Sequence, residues 1–420
     1  MLTDPAITAL APDPANRSCI LNGNAFQQDA IQSFGGWQYA CYYAFPSLSP
    51  ASTEPLYVHL ARRKLPGGSW ETMIFDDYAQ TTDDGHNTVQ IASQPDKFKW
   101  DKQHFSPTVD ALPGLPYDGD LLGYISYPRF VPLEQNLLFS FSTGKAGLGD
   151  DHMCVYGADT GTYSYTGMNL KGIQSCPYIH GLDYRNSRLY VTWVYRGFVW
   201  YEGWDDPLDT KHKQQRGPNE GTNNHNICFA YSEDDGATWK NSASEQVADL
   251  SRGQSITPES PGIVAFEIPK GSGLSNQESQ AVDHNGGVHV LNRDKMSGEQ
   301  KWKHYYRSSD GKWTQRAFPY VKGVYGGKRG RLAISKTGDL FLILPDNEAP
   351  TLTILKASNA GGYTSYDLVW KGDGFPPTEP LVDVTRLDQD NVLSVLTRQD
   401  VRKASEGRNV VVVDLNLKNQ

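Results

Sequence analysis

Arginine, tyrosine and histidine side chains recur near the starts of apolar segments that have the character of β-strands. A guanidinium binds a carboxylate through two parallel hydrogen bonds, and aromatic rings cover the apolar face of a sugar. These residue types predict a pocket for a carboxylated sugar if the fold brings the strand starts together. The candidates are His86, Tyr127, Arg129, Tyr178, His180, Tyr195, Arg196, Gln277, Glu278, Asn292, Arg293, Lys328, Arg329 and Arg331.

Each candidate also has a purely structural interpretation. His86 could cap the turn before its strand, and Tyr127 could serve packing alone. Arg196 follows an apolar strand and could pair with a surface acid, while Gln277 and Glu278 could brace a loop. The residue types alone therefore leave both interpretations open.

A repeated unit positions these residues. Each copy has a short strand, a polar turn and a strongly apolar strand, and the turns contain the Asn, Asp and Gly residues that hairpins need. Copies lie at 127–144, 180–197, 279–295, 329–347 and 380–400. Repeats of roughly 50 residues with four short strands each are typical of a β-propeller.

We count seven blades in this all-β chain. The first contains "WQYACYYAF", "PLYVHLARR" and "SWETMIF", and "NVVVVDLNL" (409–417) completes the ring. The other blades are expected to begin at His86, near Tyr127, near His180, near Gln280, near Arg331 and near Leu381. The prediction is one propeller domain over 1–420, with repeats from about 30 to 418 and an N-terminal segment at 1–29. Segments 199–224 and 250–276 lack the pattern and are predicted to be loops over one face.

The second blade is too short for its expected strands. "HNTVQIA" (86–92) reads as its inner strand and "KFKW" (97–100) as its outer strand. Only 41 residues separate His86 from Tyr127, and "DALPGLPYDGD" among them reads as loop. We therefore expect a truncated blade.

"YSEDDGATW" (231–239) fits the Asp-box pattern S-x-D-x-G-x-x-W, and "SSDGKW" (308–313) is a degenerate copy. The Asp side chain should accept hydrogen bonds from the turn backbone, Gly should permit the turn, and Trp should fill the gap to the next sheet. The pattern marks a blade and predicts no chemistry.

Composition limits the partners. The formal net charge of -9 argues against nucleic acid, and no stretch approaches the roughly 20 apolar residues of a membrane span. The five cysteines fit no zinc motif; Cys19 with Cys41 and Cys154 with Cys176 are the pairs we would guess in an extracellular protein. The N-terminus lacks an apolar signal core, so the protein either is not secreted or has lost its signal peptide. The sequon Asn16-Arg17-Ser18 favours an extracellular location.

The motifs around the candidates resemble a known family. "DDGHNTVQIA", "YPRFV", "GLGDD", "GLDYRNSRLYVTWVYR", "AYSEDDGATWKN", "SPGIVAFEIP", "NQESQAVD" and "HVLNRD" look like BNR-repeat proteins of fungi and bacteria. Among these are seven-bladed polysaccharide lyases: the fungal L-rhamnose-α-1,4-D-glucuronate lyases and, more distantly, the ulvan lyases. The resemblance runs from about residue 30 to 400.

The resemblance implies cleavage beside a uronic acid by β-elimination. The carboxylate is neutralised, a base removes the C5 proton, and an acid protonates the departing O4; a Tyr can do both if cations lower its pKa. Carried over, Tyr127 in "YPRF" matches the Tyr base and acid. His86 in "DDGHN" matches an active-site His, and Arg196 in "VYRG" matches an Arg that binds or neutralises the carboxylate.

Two departures from the family pattern bear on activity. The second strand after the H-N-T motif, which ends in Phe-Asp-His-His in the family, is absent, and His104 lies past the gap without matching it. Ser142 in "FSTG" stands where the family has an Arg. Losing a pocket cation and a pocket His would weaken transition-state stabilisation.

Three functions remain in view at this point. The first is a lyase acting on an acidic polysaccharide or oligosaccharide, with Tyr127, His86 and Arg196 as catalytic residues. The second is a carbohydrate-binding propeller that has lost the catalytic activity. The third is a sialidase-like hydrolase, which would need an R-I-P-like segment early in the chain, and this sequence has none. We expect a monomer without an organic cofactor, and the resemblance alone implies a Ca²⁺ in the propeller funnel.

Overall fold

A computed structural model gives the architecture. It describes residues 4–24, 29–49, 54–92, 100–102, 105, 107–109, 111–115, 119–123, 125–202, 217–401 and 407–417. The chain divides into a first unit, Met1–Leu112 with Lys328–Gln420, and a second unit, Pro113–Gly327. No helix among these described residues is long and apolar enough to cross a membrane.

The regular secondary structure of the described residues consists almost only of strands. The strands of the first half of the chain are β1 Ala6–Pro12, β2 Ile31–Phe34, β3 Trp37–Ala44, β4 Leu56–Lys64, β5 Trp70–Gln80, β6 Ser126–Leu133, β7 Asn136–Lys145, β8 Leu148–Gly157, β9 Thr162–Lys171, β10 Ser175–Arg185 and β11 Arg188–Gly197. The remaining strands are β12 Asn224–Ser232, β13 Thr238–Lys240, β14 Gln246–Asp249, β15 Val264–Phe266, β16 Ser279–Val282, β17 Val288–Asp294, β18 Lys301–Arg307, β19 Trp313–Ala317, β20 Arg331–Ile334, β21 Leu340–Pro345, β22 Thr351–Ala357, β23 Asp367–Asp373, β24 Leu381–Val382, β25 Val392–Asp400 and β26 Arg408–Asn416. The helices of the described residues are the α-helices α1 Gly119–Leu122 and α2 Val384–Asp390 and the short 3-10 helices Gly221–Asn223 and Leu250–Arg252.

The described residues form six antiparallel sheets, five of them from consecutive strands. The second unit contains β6 to β9, β10 to β15 and β16 to β19, and the first unit contains β2 to β5, β20 to β23 and the sheet β1-β26-β25-β24. Four of these sheets, β2 to β5, β6 to β9, β16 to β19 and β20 to β23, are four-stranded meanders, which is the connectivity of a propeller blade. The predicted blade starts near residues 127, 180, 280, 331 and 381 coincide with β6, β10, β16, β20 and β24.

Alternating apolar side chains bury both faces of the blades. In β26, Val411 and Val413 pack into one core cluster, while Val410 and Val412 pack into another. Successive strand side chains point to opposite faces, so a run of four valines suits a strand that lies between two apolar layers.

The N-terminal strand completes the last sheet. β1 pairs with β26 from Ala6 opposite Asp414 to Pro12 opposite Asn409. Residues 1–29 were expected to precede the repeats, so the outer strand of this sheet is an addition to the sequence prediction. This pairing joins segments about 400 residues apart and leaves no local signal in the sequence.

The predicted inner strand of the second blade is wrong. Residues 86–92 form no strand. Val89 and Ile91 instead pack against the core of β2 to β5, and Ile91 N–H donates to the Asp29 carbonyl at 2.9 Å. The alternating pattern is thus satisfied by packing on an existing sheet. Most of "KFKW" and His104 lie outside the described residues, and the described residues contain six sheets, so the count of seven blades is not confirmed.

The Asp-box has the predicted local structure. Asp234 Oδ1 accepts from Ser232 Oγ at 2.7 Å and from Thr238 N–H at 2.8 Å, and Trp239 is completely buried. Gly236 has a φ of +93°, and a Cβ there would collide with Met153. The box therefore fixes a turn and fills the core, as the sequence predicts.

Two further expectations can be compared with the structure. All five cysteines lie in the described residues and none forms a disulfide, so the pairs Cys19–Cys41 and Cys154–Cys176 are wrong. The predicted loop 250–276 contains the short strand β15, which pairs with β12. The loop 199–224 is described at 199–202 and 217–224.

Candidate functional site

Tyr127 lies in an unusual backbone conformation at the start of β6. Its φ is +54°, and the register between β6 and β7 shifts between Ser126 and Arg129. A positive φ in a non-glycine residue costs about 1–3 kcal/mol and occurs preferentially at functional sites. The side chain is half-buried, and its ring centroid lies 6.0 Å from that of Tyr178. In this conformation the ring of Tyr127 lies against Tyr178 of the neighbouring sheet, β10 to β15.

Arg196 at the end of β11 lies against the same neighbour. Its guanidinium carbon is 4.5 Å from the centre of the Tyr178 ring, and Nη1 donates to the Tyr178 hydroxyl at 3.3 Å. Nε donates to Asn224 Oδ1 at 2.9 Å. Asn224 is itself fixed by donation to the Leu274 carbonyl at 2.8 Å. Two hydrogen bonds and a cation–π contact thus hold the orientation of the guanidinium.

Tyr178 links the two predicted catalytic residues. Burial raises the pKa of Tyr178 well above its ordinary value, so its hydroxyl stays protonated. The uncharged Tyr178 ring therefore contacts both the Tyr127 ring and the Arg196 guanidinium. We call Tyr127, Tyr178 and Arg196 the tyrosine–arginine cluster.

Arg129 is engaged inside its own sheet. It is 1% exposed, and Nη1 lies 3.5 Å from Asp151 Oδ2. Ser140 and Ser142 donate to the two oxygens of Asp151 at 2.7 and 2.9 Å. Burial raises the pKa of Asp151, and the charge of Arg129 opposes that rise. Ser142, which stands where the family has an Arg, is thus part of a buried carboxylate network.

A second group of buried polar side chains connects β10 with the start of β16 and with β17. His180 Nδ1 accepts from the Glu278 backbone N–H at 3.1 Å, and Glu278 Oε1 lies 2.7 Å from Arg293 Nη2. The Arg293 guanidinium also lies 4.5 Å from the Trp302 ring centre. Gln277 has a φ of +53° and is 1% exposed, and its Nε2 has no hydrogen-bond partner among the described residues. This group joins two neighbouring sheets through buried polar contacts.

Tyr195 lies on the opposite face of its strand from the tyrosine–arginine cluster. It belongs to the core cluster that also contains Trp193 and Cys228, and it stacks on His225 with centroids 6.1 Å apart. Burial raises the pKa of Tyr195 and lowers that of His225. Its position follows from the alternation of side chains along β11.

His86 and Arg331 belong to the first unit. His86 Nδ1 lies 2.7 Å from Asp84 Oδ1, which also accepts from the His86 backbone N–H at 2.9 Å. The His86 side chain is exposed in a turn, as its capping interpretation expected. Arg331 opens β20 and is half-buried, and the nearby Arg329 pairs with Glu379 at 2.8 Å.

The structure therefore brings some predicted residues together and assigns others to separate groups. Tyr127, Tyr178 and Arg196 form one cluster, and His180, Glu278 and Arg293 form another within the same unit. Asp151 and Asn224 were not identified from the sequence. Asn224 is opposite Arg196 across β11 and β12, and Asp151 lies on β8, two strands from Arg129 on β6; only the strand order and register reveal these relations.

The family model described as "BNR repeat-containing family member" matches residues 37–98 and 99–320. The chain belongs to the BNR repeat-containing family. No curated protein matches this BNR-repeat chain with significance. Among solved structures, polysaccharide lyase Uly1 is similar over 99% of this chain and 100% of its own, with a TM-score of 0.68 and 15% identity. A PL25 ulvan lyase is similar over 93% of each chain, with a TM-score of 0.58 and 13% identity. These likenesses show that the BNR-repeat chain is an all-β propeller.

The tyrosine–arginine cluster of this BNR-repeat protein offers a proton-carrying phenol and a fixed cation. A guanidinium held by Asn224 and Tyr178 is oriented before any ligand binds, which reduces the entropy cost of binding a carboxylate. Among the described residues, no group of three or more His, Cys, Asp or Glu is arranged to hold a metal ion. The Ca²⁺ that the resemblance implies stays a prediction.

Proposed function

We propose that the chain is a polysaccharide lyase that cleaves a glycosidic bond to a uronic acid by β-elimination. The finer proposal is a rhamnose-α-1,4-glucuronate linkage in an acidic polysaccharide or oligosaccharide. The observation that carries the proposal is the strained, half-buried Tyr127, whose neighbour Tyr178 is capped by the Arg196 guanidinium. The propeller fold, shared with two polysaccharide lyases, supports it.

In the proposed reaction Tyr127 carries the proton in both directions. Its deprotonated oxygen removes the C5 proton of the uronate, the electrons form the C4–C5 double bond, and the C4–O4 bond breaks. The phenol then returns a proton to O4. Arg196 binds the carboxylate and withdraws charge from C5, so that charge developing in the transition state meets a fixed cation. His86 is the proposed third catalytic residue.

The other predicted residues have supporting roles in this proposal. Arg129, Tyr178, His180, Tyr195, Gln277, Glu278, Arg293 and Arg331 are the proposed substrate-binding set. Within this set, Arg129 and Arg293 would support binding indirectly by holding their sheets in place, since each faces a buried carboxylate. We also propose a seven-bladed count and an extracellular location, which the exposed Asn16 of the sequon supports.

Ultraviolet absorbance tests the chemistry directly, because elimination creates a conjugated unsaturated uronate. We expect a rise in absorbance when the purified protein is mixed with rhamnose–glucuronate-capped gum arabic, and we would test ulvan separately. Tyr127→Phe should lower the rate by about 100-fold or more, since it removes both base and acid. Tyr156→Phe is the matched control, because Tyr156 lies in β8 of the same sheet and contacts Tyr163 through its ring.

A carbohydrate-binding propeller without catalysis is the second candidate. It is favoured by the engagement of Arg129 with Asp151 and of Arg293 with Glu278, which leaves these cations facing protein carboxylates. A flat absorbance trace from folded protein that still binds the glycan by calorimetry would establish this candidate and exclude the lyase.

A further inference from the structure

A cavity of about 360 Å³ lies in the first unit, and its lining contains none of Tyr127, His86 and Arg196. Its walls come from the segment that follows β1 and from the ends of β25 and β26. The lining residues with chemistry are Asp13, Arg17, Cys19, Arg398, Asp400 and Arg408. The volume is within the range of small-molecule sites.

The charges of the lining do not cancel. Arg398 pairs with Asp13 at 3.0 Å, and Arg408 pairs through Nε with Asp400 at 3.1 Å. Arg17 forms no ion pair with a described residue, so three arginines face two aspartates. The cavity thus carries one positive charge in a protein whose formal net charge is -9, and it is locally suited to an anion.

Arg17 has a donor that the protein does not satisfy. Its Nη2 donates to the carbonyl and the side-chain oxygen of Gln80 at 3.2 and 3.4 Å. Its Nε is buried and has no hydrogen-bond partner among the described residues. A buried guanidinium donor without an acceptor is costly, and an anionic oxygen in the cavity would satisfy it.

The wall that carries Arg17 is held in place from outside the cavity. Asp83 accepts from the backbone N–H groups of Ser18 and Cys19 at 2.9 and 2.8 Å. On the opposite side, Asp13 accepts from Asn22 Nδ2 at 3.1 Å as well as from Arg398. A cavity with fixed walls loses little conformational entropy when a ligand binds.

The polar groups match a sugar as well as an anion. Arg408 uses Nε on Asp400, and its half-exposed guanidinium presents further donors. The partly exposed carboxylate of Asp400 can accept from sugar hydroxyls, while a bare inorganic anion would be repelled by it. A hexuronate carries both a carboxylate and hydroxyls, so it can bind both the arginine donors and the Asp400 carboxylate of the cavity.

We propose that this cavity is a second binding site, for a hexuronate sugar, with Arg17 and Arg408 binding the carboxylate and Asp400 accepting from hydroxyls. This site does not depend on the proposed lyase activity. It would bind an acidic sugar of a glycan, or a free uronate, between the segment that follows β1 and the hairpin of β25 and β26.

Cys19 provides a local measurement, because this exposed residue lines the cavity while the other four cysteines are buried. We would measure the rate of Cys19 alkylation by iodoacetamide, by peptide mass spectrometry, with increasing D-glucuronate. D-glucose and sulfate are the comparison probes. We expect saturable protection by glucuronate, none by glucose at the same concentrations, and at least tenfold weaker protection by sulfate.

Variants connect the protection to the named residues. Arg17→Gln or Arg408→Gln should raise the glucuronate concentration for half-protection by about tenfold or more, since each removes a charge-assisted hydrogen bond. Arg252→Gln should leave it unchanged, because Arg252 is exposed, pairs with Asp249 at 3.1 Å and belongs to the other unit. Thermal melting would confirm that each variant is folded.

The outcomes separate this site from the active site. Protection that persists in Arg196→Gln supports a second site whether or not the protein is a lyase. The proposal is overturned if glucuronate gives no protection, if glucose or sulfate protects equally well, or if both arginine variants keep the wild-type protection.

Discussion

Replacing Arg129 by methionine would test whether the buried charge network beside Tyr127 has been interpreted correctly. The change removes the cation but keeps most of the side-chain volume. Asp151, which is completely buried, would keep the Ser140 and Ser142 hydroxyls as donors. Its negative charge would lose the guanidinium that faces it at 3.5 Å.

The expected cost is about 3 kcal/mol of unfolding free energy. Breaking a buried ion pair by removing one partner costs about 3–5 kcal/mol, and the long Arg129–Asp151 distance with two remaining hydroxyl donors points to the lower end. Burial already raises the pKa of Asp151, and losing Arg129 should raise it further. A carboxyl with a raised folded-state pKa destabilises the fold above that pKa, and the penalty disappears as pH falls towards the unfolded value. The deficit of the variant should therefore shrink on acidification.

Urea unfolding followed by tryptophan fluorescence would measure the effect. Arg252→Met is the matched control, because that exposed arginine contributes less than about 1 kcal/mol. The double variant Arg129→Met with Asp151→Asn should recover part of the loss, since no uncompensated charge remains. A single variant as stable as the control, or a double variant less stable than Arg129→Met, would refute the reasoning.

Two further predictions use other buried groups. Ellman's reagent should modify one thiol, Cys19, in the native protein and five after unfolding without reductant, because the other four cysteines are buried and none is in a disulfide; fewer than five would indicate a bond. Burial lowers the pKa values of His289 and His304, which lie beside Asp283, Tyr306 and Arg316. Their pKa values in the folded protein lie below the unfolded value of 6.5, so the stability of the protein should fall as the pH drops below 6.5. In thermal melts, His304→Gln should make this decline with pH less steep, and an unchanged slope would contradict the reasoning.

The starts of the blades could be predicted because their signals are local. The segments at β10, β16, β20 and β24 combine apolar alternation with Asn, Asp and Gly turns, and neither depends on distant parts of the chain. The Asp-box was predictable for the same reason, since its hydrogen bonds span only a few residues.

Long-range relations were not predictable. Val89 and Ile91 alternate like a strand, yet they pack on β2 to β5 without forming one. Alternation specifies an apolar side, and a neighbouring sheet can satisfy it without any ladder of hydrogen bonds. β1 illustrates the reverse case, because its partner β26 lies at the other end of the chain.

The candidate site shows the same division between residue type and register. Arg129 and Arg196 were equal candidates for binding a carboxylate. Asp151 lies two strands from Arg129 in the same sheet and faces its guanidinium, whereas Arg196 contacts a neutral amide and a tyrosine. The partner across the strands therefore decides whether an arginine is paired with a protein carboxylate, and the sequence does not contain that register explicitly.

The backbone at Tyr127 also bears on whether this residue serves only packing. Phe130 lies in the same strand, stacks on Phe139 with centroids 5.1 Å apart, and does so without a positive φ. Aromatic packing in β6 therefore does not require the strained conformation. Tyr127 departs from the ladder where the register shifts, and its ring meets Tyr178 beneath the Arg196 guanidinium. Packing alone does not require the backbone strain at Tyr127, which costs about 1–3 kcal/mol. This cost is explained if the fold maintains the position of the Tyr127 phenol itself.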